Sequence, residues 1–338
     1  MSSEKIIDIN GFKLVYIRHN TKSTRVQFMV KAGTFAEPIP GLSHTLEHVI
    51  IDSWSKCNKS CIKYWASKGI SFNAFTSGTI VSYFISGLER YNEEMINFIC
   101  DIYTRPVFNS DQIEKCKKAV AEELLNYTNN PESKLSTLYT KTIYEGDYGL
   151  KYNTDYKKQL DLLSTISKND LIKFYKKWYR RDNMIFLITT SLDFDKCCSL
   201  FRKHLTKSFE EQEQEQEQPQ TQTQEQKQEQ EQEQEQIPHF TYISNKTINW
   251  TQLTDATKTS FLIGYSCITM TQDDKVYLGL INDLLCGDLS SYLYQVLRDE
   301  KHLVYNISLN FEINNNKVVS TFSVATSKPH ELLKTFFE

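Results

Sequence analysis

No apolar run in the 338-residue chain approaches the ~20 residues that a membrane-spanning helix needs. The opening stretch, MSSEKIIDING, has neither a basic region nor an apolar core, so it does not read as a secretory signal. It also lacks the Arg-rich, acid-poor look of an organelle transit peptide. These absences predict an intracellular, cytoplasmic protein with no membrane segment. An excess of charge of one sign is missing too. The 39 Lys and Arg against 42 Asp and Glu leave a net charge of −3, which gives no basis for binding nucleic acid or an anionic membrane surface. Paired cysteines at metal-site spacing are likewise absent. The eight cysteines are scattered, Cys57 and Cys61 have no second pair near them, and the set predicts reduced, mostly buried thiols.

What is present is enough apolar residue, 40%, for real cores, and length for about two domains. One segment is not globular. Residues 210–236, mostly alternating Glu and Gln, offer no apolar side chain to bury and cannot offset their ordering entropy by packing. They predict a solvated linker, transiently helical in part, between an N-terminal unit over 1–209 and a C-terminal unit over 237–338.

The two units share an order of elements. In the first, TRVQFMVKAG alternates as a strand. Helices follow through SHTLEHVIIDSW and SCIKYWASKG, then strands ISFNAFTS and TIVSYFISG, then a helix from Glu93. In the second, KTSFLIGYSC is the strand. DDKVYLGLINDLLCG and SSYLYQVLRDE are helices, HLVYNISLNFEI and KVVSTFSVATS are strands joined by a turn at Asn314 and Asn315, and HELLKTFFE opens a helix. The pattern predicts an α+β fold made of a duplicated unit, each copy a mostly antiparallel sheet packed by helices. The first copy continues through helices over 111–127 and 134–144, a strand NMIFLITTS and a helix over 193–205. The second reads as truncated.

The chemistry concentrates in GLSHTLEHVI. On a helix, positions i and i+4 share a face and i+3 lies close by, so His44 and His48 can grip one ion with Glu47 beside them. Two imidazoles and one further ligand leave a fourth position open for water, as a catalytic zinc requires, and zinc lowers the pKa of such a water to about 7. An adjacent carboxylate can take its proton and later pass it to a leaving amine. H-x-x-E-H is the inverzincin pattern. With seven histidines in the chain it would arise by chance in about one such chain in a hundred, and a plain amphipathic helix with solvated histidines is the bland alternative. For a third ligand, KKAVAEELLNY offers Glu122 and Glu123. Ala119, Val120 and Leu124 set the apolar stripe, which Glu123 adjoins while Glu122 points more to solvent. From the residues alone, either is equally a solvated helix charge.

At this point the chain resembles the pitrilysin family of zinc metallopeptidases, which includes insulin-degrading enzyme, the mitochondrial processing peptidases and bacterial zinc proteases. GLSHTLEHVI resembles the metal helix, GISFNAFTS the strand that borders and pairs with substrate, KKAVAEELLNY the helix of the third ligand, and SSYLYQVLRDEKHLVYNI a signature of the C-terminal copy. The resemblance implies that His44, His48 and Glu123 bind one zinc ion per chain. It implies that Glu47 is the general base, and that Phe72, Asn73, Ala74 and Phe75 line the substrate cleft. Arg298 and Tyr305 match an Arg and a Tyr that hold substrate and stabilise the oxyanion. An extended peptide adding to the cleft edge would gain main-chain hydrogen bonds with little sequence preference. Two positions depart from the family. Cys116 stands where relatives commonly have an acid two turns before the third ligand, and the glycine usual ahead of Tyr305 is replaced, with His302 and Val304 in that stretch. The second copy's counterpart of the metal helix, KVYLGLINDLLCG, has no histidine, so only the first copy can carry this metal site.

The implied function is a zinc metalloendopeptidase acting on peptides or unfolded polypeptide. The alternatives are a silent, pitrilysin-like binding subunit, or one chain of a heteromeric peptidase whose partner completes the cleft.

Overall fold

A computed structural model describes residues 4–52, 61–145, 156–216, 241–242, 258–267, 271–314 and 317–338. The chain divides into two compact units, one of residues 1–125 with 156–237 and the other of residues 126–155 with 238–338. The segment 126–155 therefore groups with the C-terminal half, where a linear reading of the chain leaves it in the N-terminal one.

The first unit opens with a hairpin, β1 (Glu4–Ile9) and β2 (Phe12–Arg18). Asn10 and Gly11 form its two-residue turn with φ of 54° and 82°. Asn-Gly is the pair that tolerates two successive left-handed residues, as this turn demands. There follow β3 (Ser23–Val30), α1 (Leu42–Asp52), α2 (Cys61–Ala66), β4 (Ser71–Thr76) and β5 (Val81–Leu88). Next come α3 (Asn92–Thr104) and α4 (Ser110–Asn129); α5 (Pro131–Ile143) and β6 (Tyr144–Glu145) follow in the chain but belong to the second unit. Asn109 and Asn130 accept backbone N–H groups of the first turns of α4 and α5 at 2.7–3.2 Å, the capping role of a short polar side chain. Then come α6 (Tyr156–Leu163), α7 (Lys168–Trp178), β7 (Met184–Thr190) and α8 (Phe194–Gln216). A capping box between Ser167 and Asp170 starts α7. α8 runs into the Glu/Gln stretch, so residues 210–216, read from composition as linker, are helical. The rest of that stretch lies outside the described residues.

The strands form a six-stranded sheet in the order β1-β2-β7-β3-β5-β4. Only β2 and β7 run parallel. Alternate residues of β3, β5 and β7, among them Val26, Phe28, Tyr83, Ile85, Phe186 and Ile188, face one continuous core shared with α1, α3 and α4. Cys100, Cys116, Cys197 and Cys198 are buried free thiols, whereas Cys57 lies outside the described residues.

The second unit holds β8 (Thr241–Tyr242), which pairs with β6, then β9 (Thr259–Cys267) and α9 (Gln272–Cys286). A π-helix over Tyr294–Glu300, β10 (Ile307–Asn314), β11 (Lys317–Thr326) and α10 (Pro329–Phe337) complete it. Its sheet runs β10-β11-β9, all antiparallel. Matched by element order, this is the arrangement β4-β5-β3 of the first unit, so the repeat seen in the sequence extends to strand pairing. α5 packs on β9, and its Tyr139 Oη lies 2.6 Å from Thr321 Oγ1 on the neighbouring strand β11. Two readings need correction. Within SSYLYQVLRDE, Tyr294–Glu300 winds as a π-helix, with the Lys301 N–H bonded five residues back to the Val296 carbonyl, which its apolar spacing cannot distinguish from an α-turn. HLVYN lies ahead of the strand, and the turn residue Asn315 lies outside the described residues. No helix among the described residues is long and apolar enough to cross a membrane.

Candidate metal centre

α1 begins where the chain leaves a strap laid over the β4–β5 turn. Thr34 and Phe35 donate their N–H groups to the carbonyls of Ser77 and Gly78, both at 2.9 Å. Gly33 has no room for a side chain, because a Cβ there would lie 2.3 Å from the Ser77 carbonyl oxygen. The strap delivers Glu37 to the helix N-terminus, where its carboxylate accepts the N–H groups of Gly41 and Ser43, each at 2.8 Å. These are donors that a helix start leaves without intrahelical partners. Burial nevertheless raises the pKa of Glu37 to about 7 against those hydrogen bonds.

The helix turns Leu42, Leu46, Val49 and Ile50 into the core and leaves His44 and His48 partly exposed on another face. Their Nε2 atoms converge to 3.2 Å. From α4, Glu123 reaches the same point. Its carboxylate lies 3.3 Å from His44 Nε2 and 3.7 Å from His48 Nε2. Among the described residues these three make the only group of His, Cys, Asp or Glu whose ligand atoms could hold a metal ion, all within 4.8 Å of one another. The separations test the fit. Zinc bonds of about 2.0–2.1 Å at tetrahedral angles place ligand atoms roughly 3.3 Å apart. Two imidazole nitrogens and a carboxylate oxygen at 3.2, 3.3 and 3.7 Å match that spacing and that donor chemistry.

The charges agree with a site built around one positive charge. Burial works to lower the His44 pKa, but the hydrogen bond to Glu123 and the nearby Glu47 and Glu37 raise it overall. His48 is held low by burial and by the charge on His44. Glu123 is lowered by its hydrogen bond to His44.

Glu47 is 5% exposed, on α1 one turn from His44 and adjacent to His48. Its Oε2 accepts a hydrogen bond of 2.6 Å from Thr76 Oγ1 at the end of β4. Burial raises its pKa, against that hydrogen bond and the charge on His44. It is a carboxyl whose proton affinity is lifted beside the ligand cluster, the state suited to taking and returning a proton.

β4 is an edge strand, with one side paired to β5 and the other unpaired among the described residues. Its side chains divide. Asn73 and Phe75 are exposed, Ala74 is partly buried, and Phe72, 8% exposed, packs edge-on against Phe98 in the core. Phe72 can therefore offer a peptide its backbone but not its ring, a consequence of strand alternation. Cys116, which the family resemblance marks as a departure, places its Sγ 3.8 Å from Asp52 Oδ2 at the end of α1, so a carboxylate stands close to it. Neither Thr76, Glu37 nor Asp52 was marked by the sequence. A Glu four residues before a helix N-terminal glycine was the one available signal.

Arg298 and Tyr305 belong to the second unit. Arg298 lies on the π-helix with its guanidinium 4.9 Å from the Tyr305 ring centroid, and Tyr305, 72% exposed, precedes β10 rather than sitting in it. His302 between them has φ of 50°, the left-handed conformation glycine takes easily, and its Nδ1 lies 3.1 Å from the Arg298 carbonyl.

A mostly antiparallel sheet packed by helices, one of which presents two imidazoles to a carboxylate, defines an α+β protein with a candidate metal centre. Comparison with known proteins gives the family. Residues 13–155 match the family profile described as Insulinase (Peptidase family M16), and residues 165–338 match the one described as Peptidase M16 inactive domain. The chain belongs to the pitrilysin-type M16 peptidase family. It is 22% identical over 305 residues to the uncharacterized zinc protease YmxG of Bacillus subtilis, covering 88% of this chain and 67% of that one. It covers 46% of a second zinc protease from that organism, YmfH. Its fold matches a crystal structure of a protease from Helicobacter pylori with a TM-score of 0.72 and 18% identity, over 96% of this chain and 75% of that one. The corresponding values for a crystal structure of pitrilysin are 0.62, 16%, 96% and 34%. The chain thus spans about half to two thirds of these curated relatives.

Proposed function

We propose that the chain is a zinc-dependent metalloendopeptidase that hydrolyses extended peptides. The observation that carries this reading is the convergence of His44, His48 and Glu123 at separations that fit one tetrahedral zinc, with Glu47 buried alongside. The name of the relative YmxG as a zinc protease supports the choice of metal. When bound, zinc would supply Lewis-acid polarisation of the scissile carbonyl and acidify a water molecule at the open position.

The protein's own residues do the rest. His44, His48 and Glu123 donate the three ligand atoms. Glu47 takes a proton from the attacking water and delivers it to the departing amine, a round trip that its raised pKa favours. Thr76 fixes the carboxylate in place and favours its ionised form. The unpaired edge of β4 accepts the substrate backbone as an added strand, through main-chain hydrogen bonds at Asn73, Ala74 and Phe75 and the backbone of Phe72. Arg298 and Tyr305 hold the substrate and donate to the oxyanion, a role suited to a guanidinium and a phenol that already touch.

The test is zinc content together with cleavage of a quenched, unstructured peptide by wild type and Glu47→Gln. One zinc in each and cleavage by the wild type alone supports the reading. Zinc in each and cleavage by neither makes the chain a silent subunit or one member of a heteromeric peptidase.

A further inference from the structure

His44 stands on the first turn of α1, which opens at Leu42. The N–H groups of that turn have no intrahelical partners, and helix ends fray. His48 lies a full turn further in, and Glu123 is well inside α4. Of the three ligand groups, His44 is therefore the one that needs outside support to keep its Nε2 3.2 Å from His48 and 3.3 Å from Glu123. Residues 33–43 supply that support as one closed piece. The Phe35 ring of the strap lies on Gly78, where a Cβ would come within 2.5 Å of its Cζ. After the strap, Pro38 and Pro40 lock two backbone φ angles, and Gly41, at φ of 90°, turns the chain into α1. Glu37 closes the ring, one carboxylate oxygen accepting the Gly41 N–H and the other the Ser43 N–H. Ser43 is fully buried, and its Oγ donates back to the Gly33 carbonyl at 3.2 Å. The residue directly before His44 is thus tied to both ends of the strap, and the strap is tied to the β4–β5 turn that follows Thr76.

We infer, on the metal reading proposed above, that Glu37 is a positioning residue for the metal centre: through Ser43 it fixes the first turn of α1, and so His44, against the turn that follows Thr76. The role calls for a carboxylate. Both of its oxygens accept, whereas an amide would turn a donor toward one of the two N–H groups. Without Glu37, His48 and Glu123 keep their supports, and His44 alone is loosened. A metal ion would then meet two well-held ligands and one mobile ligand. The loss falls on metal affinity and on the angles at the metal, as it does when an outer partner of a ligand is removed.

The test uses the full chain with Zn2+ and Co2+ as probes, in wild type, Glu37→Gln and Glu37→Ala, each checked for folding by circular dichroism at the assay temperature. Competition with a chelator gives the zinc affinity, and the visible bands of bound Co2+ report the ligand angles. Zinc affinity should fall about 10–100-fold in Glu37→Ala and less in Glu37→Gln, which keeps one acceptor. The cobalt bands should shift in the same order. A residue that only stabilised the fold would lower the melting temperature and leave both metal readouts of the folded protein unchanged, and that result overturns the inference. If Glu37→Ala does not fold, Glu37→Gln against wild type carries the same comparison. Neither readout needs turnover. A wild type that binds zinc and cleaves no peptide removes the peptidase reading and leaves this inference to the affinities, whereas a wild type that binds neither metal removes both.

Discussion

Thr76→Val removes one hydroxyl and keeps the volume and the strand preference of the side chain. Thr76 Oγ1 donates a 2.6 Å hydrogen bond to Glu47 Oε2, and Glu47 is only 5% exposed, so little water can replace the lost donor. A hydrogen bond to a charged group contributes about 1.5–3 kcal/mol, and a tenfold change in proton affinity corresponds to about 1.4 kcal/mol. The Thr76 hydroxyl favours the ionised carboxylate against burial, which already raises the pKa. Its loss should raise that pKa further. A base must be ionised to act, so the acid limb of the kcat/KM profile should move to higher pH. Below the limb, activity should fall about tenfold for each pH unit that the limb moves, while the plateau at higher pH changes little. The assay is peptide cleavage across pH with zinc content measured in parallel. An unmoved acid limb with the metal retained would refute the assignment of Glu47 as the base that Thr76 tunes.

Further outcomes follow from the same geometry. Glu123→Gln should weaken zinc binding by more than the ~10–100-fold typical of losing an outer-sphere partner, whereas Glu122→Gln should leave it unchanged, as competition with a chelator will show. Glu37 holds its proton up to about pH 7 when folded but releases it near 4.5 when unfolded. Between those values the folded state binds more protons, so its contribution to stability, present below pH 4.5, is lost as pH rises to 7, by up to about 3 kcal/mol. Denaturant melts of the metal-free protein should show this slope, and Glu37→Gln should flatten it. Gly33→Ala would press a Cβ into the Ser77 carbonyl, and it should lower the melting temperature by several degrees and reduce activity through displacement of the β4–β5 turn next to Thr76.

The parts of the site that were legible in the sequence are those set by spacing within one helix. His44, Glu47 and His48 lie on a single turn and declare themselves. Glu123 needed the family resemblance, because spacing alone leaves Glu122 open. Thr76 reaches Glu47 across 29 residues, and only the pairing of β4 with β5 brings it there. The repeat was legible as element order, yet its strand order, β4-β5-β3 against β10-β11-β9, came from pairing. The β1–β2 hairpin had a clear local signal in Asn10-Gly11 that the element reading passed over. The π-helix had none, since five-residue and four-residue hydrogen bonding bury nearly the same side chains. The grouping of residues 126–155 with the second unit was hidden because α5 docks on β9, more than a hundred residues downstream.

The most direct test of the central claim is zinc bound per chain in wild type, His44→Ala, His48→Ala, Glu123→Gln and Glu47→Gln, measured by elemental analysis beside cleavage of an unstructured peptide. The account predicts one zinc in the wild type and in Glu47→Gln, markedly less in the three ligand variants, and cleavage by the wild type alone. Zinc bound equally by all five, or by none, would contradict it.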